Sequence, residues 1–288
     1  KKKKKAFEFN EKENQFGLSY LKKNKIEKEK FICFVVRTSE YYQTIGKSLV
    51  EKNMSYRNVK QENYVPSLEY LIENNYKVIR MGKGVKSKFP FDHKNFIDYA
   101  LSEDRCDFLD IWLSANCKFF LSNSTGIAMM PLLFDKPIIN TNEFPGLRSH
   151  SWIPKSIHVP RIVIGKNEKL YNVREWFDFG LHWRNSRELE LRKIGVKPIE
   201  NTPDEILETT KLMEEKIKDN FIVSDLNMKF WHKTKKAWDE FTQKNIDNKK
   251  PYEFSDRFTF NHFHKIDGIK TTIPDFYLNK YKDVFIDY

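Results

Sequence analysis

The sequence predicts an α/β fold: a parallel sheet flanked by helices, followed by a C-terminal helical extension. Three observations carry that prediction. Phe31-Ile-Cys-Phe-Val-Val36 is an unbroken run of apolar, mostly β-forming residues, the pattern of a strand buried on both faces. Such runs then alternate with helix-period segments as far as Asn140, the spacing of βαβ units. Finally, Thr202-Pro-Asp-Glu205 is a capping box with proline at the first helical position, and it opens the extension.

In chain order, residues 1–30 form a basic lead-in that closes in a short helix over Phe16 to Lys23. After the first strand, a helical period over Asn63 to Asn74 places Tyr64, Leu68, Leu71 and Ile72 on one side, with Asn75 suited to end it. Tyr76 to Arg80 is the second strand. Asp107 to Ala115 reads as a short helix, Lys118 to Leu121 as a strand, and Ser124 to Phe134 as a helix made irregular by Pro131. Pro137 to Asn140 is a further strand after a tight turn. Beyond Glu143 the pattern weakens. The capped helix carries Ile206, Leu207, Thr210, Met213 and Ile217 on one stripe, Trp231 to Phe241 is a second helix, and the tail from Pro251 is aromatic and turn-rich. This gives three regions: residues 1–30, a sheet domain over 31–200, and the extension over 201–288.

Composition narrows the function classes. At 288 residues, with 40% hydrophobic and 15% aromatic content, the chain can bury a large core, so intrinsic disorder is excluded for most of it. The longest apolar stretch, Ile127 to Phe134, is far short of the roughly 20 residues a membrane span needs. No secretory signal opens the chain, and a first residue Lys1 points to a fragment. The net charge of +11 is unevenly spread, because residues 1–30 hold eleven Lys against five Glu. Lys1–Lys5 could make a peripheral contact with an anionic membrane, although a solvated lead-in is the plainer reading. Elsewhere Lys and Arg interleave with Asp and Glu, so a nucleic-acid partner is not expected. Cys33, Cys106 and Cys117 show no CxxC spacing and suit free thiols in a reducing compartment, hence a cytoplasmic location.

Ligands of an open α/β sheet bind beyond the carboxyl ends of its strands. Three of those ends are polar here: Val36-Arg37-Thr38-Ser39, Ile79-Arg80-Met81-Gly82-Lys83-Gly84, and Leu121-Ser122-Asn123-Ser124-Thr125-Gly126. The last offers hydroxyls, a glycine and the positive end of the expected helix, which together make an anion cradle. Arg37 and Arg80, on neighbouring ends, could clamp a diphosphate between two guanidinium forks. Singly, these are ordinary N-caps and surface arginines; their convergence carries the reading. His262-Phe-His264 is at most half a metal site, with no third ligand in view. Asp107 and Asp110 stand one helical turn apart, where a solvated helix start is the default. Trp152, Trp176 and Trp183 could stack on a sugar or base, but core and interface packing is the expected role.

These segments resemble a family of bacterial glycosyltransferase-like proteins from surface-polysaccharide and lipopolysaccharide clusters, with the GT-B fold. The matching pieces are Phe31 to Arg37, Tyr56-Arg57-Asn58 with Tyr64, Val78 to Gly82, Ile97 to Ala100, Cys106 to Asp110, Cys117 to Gly126, Pro137 to Asn142, Ile153 to Lys155 and Asn201 to Ile206. They run over about residues 15–285. More loosely, Arg37 is similar to the first-strand arginine that holds the donor diphosphate in fucosyltransferases. The resemblance implies a Rossmann-like donor-binding domain, a nucleotide-sugar co-substrate, a glycan or lipid-linked acceptor, and no cofactor or bound metal. It implies a donor site of Arg37, Arg80, Ser122, Asn123, Ser124, Thr125 and Gly126, with Arg57, Asn58, Gly82, Asn140, Asn142 and Lys155 in donor or structural roles. The family's His-Val-Arg-Asp stands as Val35-Val36-Arg37-Thr38 here, and no catalytic residue is assigned. No pair of glutamates seven residues apart follows the phosphate loop, so the stereochemical course is left open. Thirty residues before the first strand cannot build a second Rossmann domain, which places the acceptor domain upstream of Lys1. The alternative from another class is a non-catalytic nucleotide- or glycan-binding module.

Overall fold

A computed structural model of the chain describes residues 7–47, 54–123, 125–144, 155–181, 188–219, 221–247 and 271–288. It begins with α1 (Glu11–Lys23), which starts upstream of the expected Phe16 because a capping box fixes it there. Asn10 accepts from the Glu13 amide, and Glu13 accepts from the Asn10 amide. The strands that follow are β1 (Phe31–Phe34), β2 (Lys77–Arg80), β3 (Phe96–Ile97), β4 (Phe120–Ser122), β5 (Ile138–Glu143) and β6 (Ser156–Pro160). After them, β7 (Ile162–Ile164), β8 (Leu170–Tyr171) and β9 (Lys197–Ile199) form a separate antiparallel sheet, and β10 (Thr271–Thr272) returns to the first.

The main sheet is parallel throughout, in the order β10-β6-β5-β4-β1-β2-β3. Helices α2 (Glu40–Thr44) and α3 (Val65–Glu73) fall between β1 and β2; α4 (Asp107–Asn116) precedes β4, and α5 (Met130–Leu133) follows it. The chain steps from β1 out to β2 and β3, then crosses back to place β4 on the other side of β1. That reversal is the switch point of a Rossmann-like, doubly wound sheet.

The central strands are buried on both faces, which is why β1 reads as a continuous apolar run and Phe119–Leu121 as another, while β2 and β5 keep apolar pairs at Val78-Ile79 and Ile138-Ile139 beside polar residues. Cys33, Val35, Ile79, Phe120 and Ile138 pack towards Tyr20 and Leu21 of α1 and Leu109, Trp112 and Leu113 of α4. Ile32, Phe34, Val78, Leu121 and Ile139 pack the other way, against Leu68 and Leu71 of α3. A third cluster joins the antiparallel sheet to the C-terminal helices. Those helices are α6 (Val173–Asp178), α7 (Glu188–Ile194), α8 (Pro203–Lys218), α9 (Asp225–Asp247), α10 (Asp275–Lys280) and α11 (Lys282–Phe285). The Thr202–Glu205 box caps α8 as expected, and Ile206 and Met213 of α8 join the α3 face of the sheet.

Close approach of α1 to α4 depends on Gly17. A Cβ there would lie 2.1 Å from an indole carbon of Trp112. Gly17→Ala is therefore expected to displace the ring and cost about 1–3 kcal/mol, seen as a lower urea midpoint with an unchanged m-value.

Several expectations need correction. Residues 31–200 do not form one parallel sheet: the five-residue link 165–169 between β7 and β8 is too short for a parallel crossover, so that segment pairs antiparallel. The parallel sheet instead gains its outermost strand, β10, from the C-terminal extension. The helix expected over Ser124 to Phe134 is a 3-10 turn (Gly126–Met129) followed by α5, with Pro131, which lacks an N–H, in the first turn of α5. Within the 1–30 lead-in the expected helix is present as α1, and it packs on the sheet's α4 face. Trp176 is core: its indole N–H donates to the Tyr171 carbonyl at 2.7 Å. Lys1–Lys5, Ser124, Trp152, Trp183, His262 and His264 lie outside the described residues. Among the described residues, no helix is long and apolar enough to cross a membrane.

Candidate functional site

A cavity of about 500 Å³ opens at the carboxyl edge of the sheet, where β1, β2 and β4 end. Its floor is Val35–Thr38 after β1, Gly82, Lys83 and Val85 after β2, and Thr125–Ile127 after β4. Tyr41 and Tyr42 of α2 form one wall, and Arg105, Asp107, Asp110 and Ile111 form the other. This is the switch point, the position at which open α/β sheets bind ligands.

Arg37 is fixed there through its backbone. Its amide donates to Asn123 Oδ1 at 2.7 Å, which ties the end of β1 to the end of β4. Its guanidinium lies 4.9 Å from the Tyr42 ring centroid, a cation–π contact. The Asn123 amide also reaches the Arg57 carbonyl at 3.4 Å. Burial and then repulsion from Arg37 hold the Arg57 guanidinium below its ordinary pKa. Arg161, buried beside them, donates to the carbonyls of Tyr56 (2.7 Å) and Asn58 (3.0 Å) and holds that turn in place. Positive charge is thus gathered behind the β1–β4 crevice.

Thr125 and Gly126 complete the crevice. Thr125 Oγ1 is buried with no hydrogen-bond partner among the described residues, and a Cβ at Gly126 would meet nothing within 4 Å. The helix behind them is too short to supply a macrodipole, so an anion here would be met by hydroxyl and backbone N–H groups. Gly82 lines the floor with a φ of 157°, and a side chain there would strike Val85 at 2.8 Å.

Arg80 does not join the cavity. It is only 2% exposed, donates to Asp98 Oδ2 (2.9 Å) and the Ser87 carbonyl (3.0 Å), and lies 5.3 Å from the Phe89 ring centroid. Its register partner is Phe34, whose side chain packs on the α3 face of the sheet, away from α4. The expected clamp of two arginines is therefore not built. Arg80 instead supports the wall at one remove. Glu40 accepts from the amides of Lys86 (3.0 Å) and Ser87 (3.1 Å) and from the Ser87 hydroxyl, so the loop held by Arg80 anchors α2. Burial pushes the Glu40 carboxyl up, but those bonds outweigh it and leave the group below its ordinary pKa.

Other expected site residues lie in the scaffold. Asn142, at φ 54°, exchanges bonds with Asn201: its amide donates to Asn201 Oδ1 and its own Oδ1 accepts from the Asn201 amide at 2.8 Å. Its side-chain amide donates to Tyr64 Oη, which also bonds Thr141 at 2.7 Å. Ser122 and Asn140 are register partners, and Ser122 Oγ and Asn140 Oδ1 are buried without partners among the described residues. Lys155 sits away from the cavity in an ion pair with Asp135 at 2.8 Å.

The acidic wall differs from the solvated helix start that the sequence predicts. Asp110 is in fact buried and paired with Arg105, which also bonds Asp107 at 2.7 Å; Lys83 reaches Asp107 at 3.1 Å. Burial pushes the Asp110 carboxyl up against the pull of Arg105. The Asp107–Asp110 spacing was the available signal; the partner that encloses it, Arg105, comes from outside the helix. Tyr41 and Tyr42 had no such signal. All three cysteines are free thiols, with Cys33 and Cys117 buried. Among the described residues, no three His, Cys, Asp or Glu side chains gather as a metal set.

Fold and cavity together define a Rossmann-like α/β protein with a ligand-sized pocket at its switch point. Comparison with protein families, curated proteins and solved structures finds no match.

Proposed function

We propose that the chain binds a nucleotide-sugar by its diphosphate and is the donor-binding half of a glycosyltransferase that serves a glycan or lipid-linked acceptor. The observation that carries this is Arg37 set beside Thr125 and Gly126 over the β1–β4 crevice. The volume falls inside the roughly 300–1,000 Å³ of small-molecule sites. Its lining is also suited: Val85, Ile127 and the tyrosines offer a surface for a base, and Asp107 and Asp110 offer acceptors for hydroxyls. In sugar transfer the anomeric carbon exchanges its bond to the diphosphate oxygen for one to an acceptor hydroxyl oxygen, which gives up its proton, and Arg37 would stabilise the charge left on the departing diphosphate. Arg80 has no part in that step beyond supporting the α2 wall.

Binding is tested by thermal shift with UDP, GDP, dTDP, ADP and CMP. A rise in melting temperature with one diphosphate is expected; no rise with any would refute the reading. Gly126→Val should weaken the best ligand several-fold, about 1 kcal/mol, by holding phosphate off the backbone. It should leave the unliganded melting temperature unchanged, since its side chain projects into open space. The second reading, a binding module without turnover, is favoured by the departure of Arg80 from the site. Release of sugar from a labelled nucleotide-sugar separates the two.

A further inference from the structure

The cavity wall formed by Arg105, Asp107 and Asp110 holds buried hydrogen-bonding groups that the protein itself does not use. Asp110 is 8% exposed; its Oδ2 meets Arg105, while its Oδ1 has no partner among the described residues. Tyr99 stands close by, but its hydroxyl is taken up by the Cys106 carbonyl and amide, at 3.1 Å each, and has no proton left for Asp110. Arg105 meets both Asp107 and Asp110 through the same nitrogen, Nη2. Its Nε and Nη1 are left without a partner among the described residues. Buried groups without partners are costly, and here an acceptor and donors stand side by side in the lining of a cavity, where a ligand can complete them.

Charge selects the kind of ligand. Lys83 also reaches Asp107, at 3.1 Å, so Lys83 and Arg105 stand against Asp107 and Asp110 and the formal charges of this wall cancel. A charged group of either sign would be desolvated here without a net counter-charge. A hydroxyl both donates and accepts, so neighbouring hydroxyls on a neutral ring satisfy Asp110 Oδ1 and the Arg105 donors together. We propose that the Arg105–Asp110 pair selects the sugar of the bound nucleotide-sugar, taking a neutral polyhydroxylated ring and rejecting one that carries a carboxylate. This rests on the reading of the cavity as a nucleotide-sugar site and adds the class of sugar. The transferred sugar and the nucleoside sit at opposite ends of a diphosphate. With the base against Tyr41 and Tyr42 and the phosphates at Arg37 and Thr125, the sugar falls to the other wall. A hexuronic acid would bring its carboxylate against Asp110 and leave Oδ1 without a proton, which is how the wall discriminates.

Titration calorimetry with UDP, UDP-glucose and UDP-glucuronic acid tests it, or with GDP, GDP-mannose and GDP-mannuronic acid if guanosine binds better. The neutral hexose ligand should bind about tenfold tighter than its uronic acid counterpart. Asp110→Asn should weaken the neutral hexose ligand about fivefold and the diphosphate alone by no more than about 1.5-fold. Asp107→Asn changes a side chain that is 72% exposed, so it should melt like the parent and narrow the preference for the neutral sugar about threefold. It decides the matter if Asp110→Asn misfolds. A uronic acid ligand that binds as tightly as the neutral one would overturn the proposal, as would a folded Asp110→Asn that binds every ligand like the parent. An equal loss for the diphosphate alone would also overturn it, by giving the hydroxyls to the ribose. In each of these cases diphosphate binding that depends on Arg37 leaves the nucleotide site standing. Absence of binding by any diphosphate would remove that site, and the sugar selection with it.

Discussion

Arg37→Ala is expected to weaken nucleoside diphosphate binding about tenfold to a hundredfold, the loss of one charge-assisted contact of about 1.5–3 kcal/mol. The fold should survive it. The bond to Asn123 is made by the Arg37 backbone amide, which alanine retains, and the stacking on Tyr42 is a surface contact worth about 0.5–1 kcal/mol. Titration calorimetry with the best diphosphate from the thermal panel measures the change, with urea unfolding as the control for folding. Thr38→Ala should matter far less, because a lone hydroxyl contributes less than a charged fork. Equal affinity for parent and Arg37→Ala would remove the diphosphate from this crevice.

Arg80→Met should have the opposite profile, with a loss of about 3 kcal/mol of stability and a smaller effect on binding. The side chain is buried, and without it Asp98, itself 23% exposed, keeps its charge with no counter-ion. Methionine fills much of the arginine stem's volume and can still pack on Phe89, so the loss reports the broken polar contacts and not a cavity. For a chain of this size the melting temperature should fall by roughly 6–12 °C. Affinity should drop only modestly, as the loop that anchors α2 through Glu40 loosens. A variant that melts like the parent but fails to bind would return Arg80 to the site.

These two arginines show where sequence reading stops. Both follow apolar runs and look alike in sequence. Which way the second one turns is set by the register that pairs Arg80 with Phe34, and by Asp98 waiting on the far side of a loop. The parts of the fold that were legible share one property: they are buried on two faces or capped locally. β1 and β4 follow from apolar runs, β2 and β5 from the apolar pairs Val78-Ile79 and Ile138-Ile139, and α8 is announced by Thr202–Glu205. β10 is two threonines whose strand character comes only from pairing with β6. The polar segment Glu40–Thr44 has no apolar period, so α2 and its two tyrosines went unread. Asp110 looked like a solvated helix start because nothing in its own helix shows that Arg105 folds over it. The polar end of β4 is legible in the sequence, but the helix expected over Ser124 to Phe134 is longer than the 3-10 turn and α5 that form, because Pro131 begins a new turn there.

The position of a bound diphosphate tests the central claim most directly. A crystal structure of the chain with the nucleoside diphosphate that stabilises it most should place the phosphates within hydrogen-bonding distance of the Arg37 guanidinium and of Thr125–Gly126, between the ends of β1 and β4. Phosphates bound elsewhere on the protein, with the crevice empty at saturating nucleotide, would contradict it.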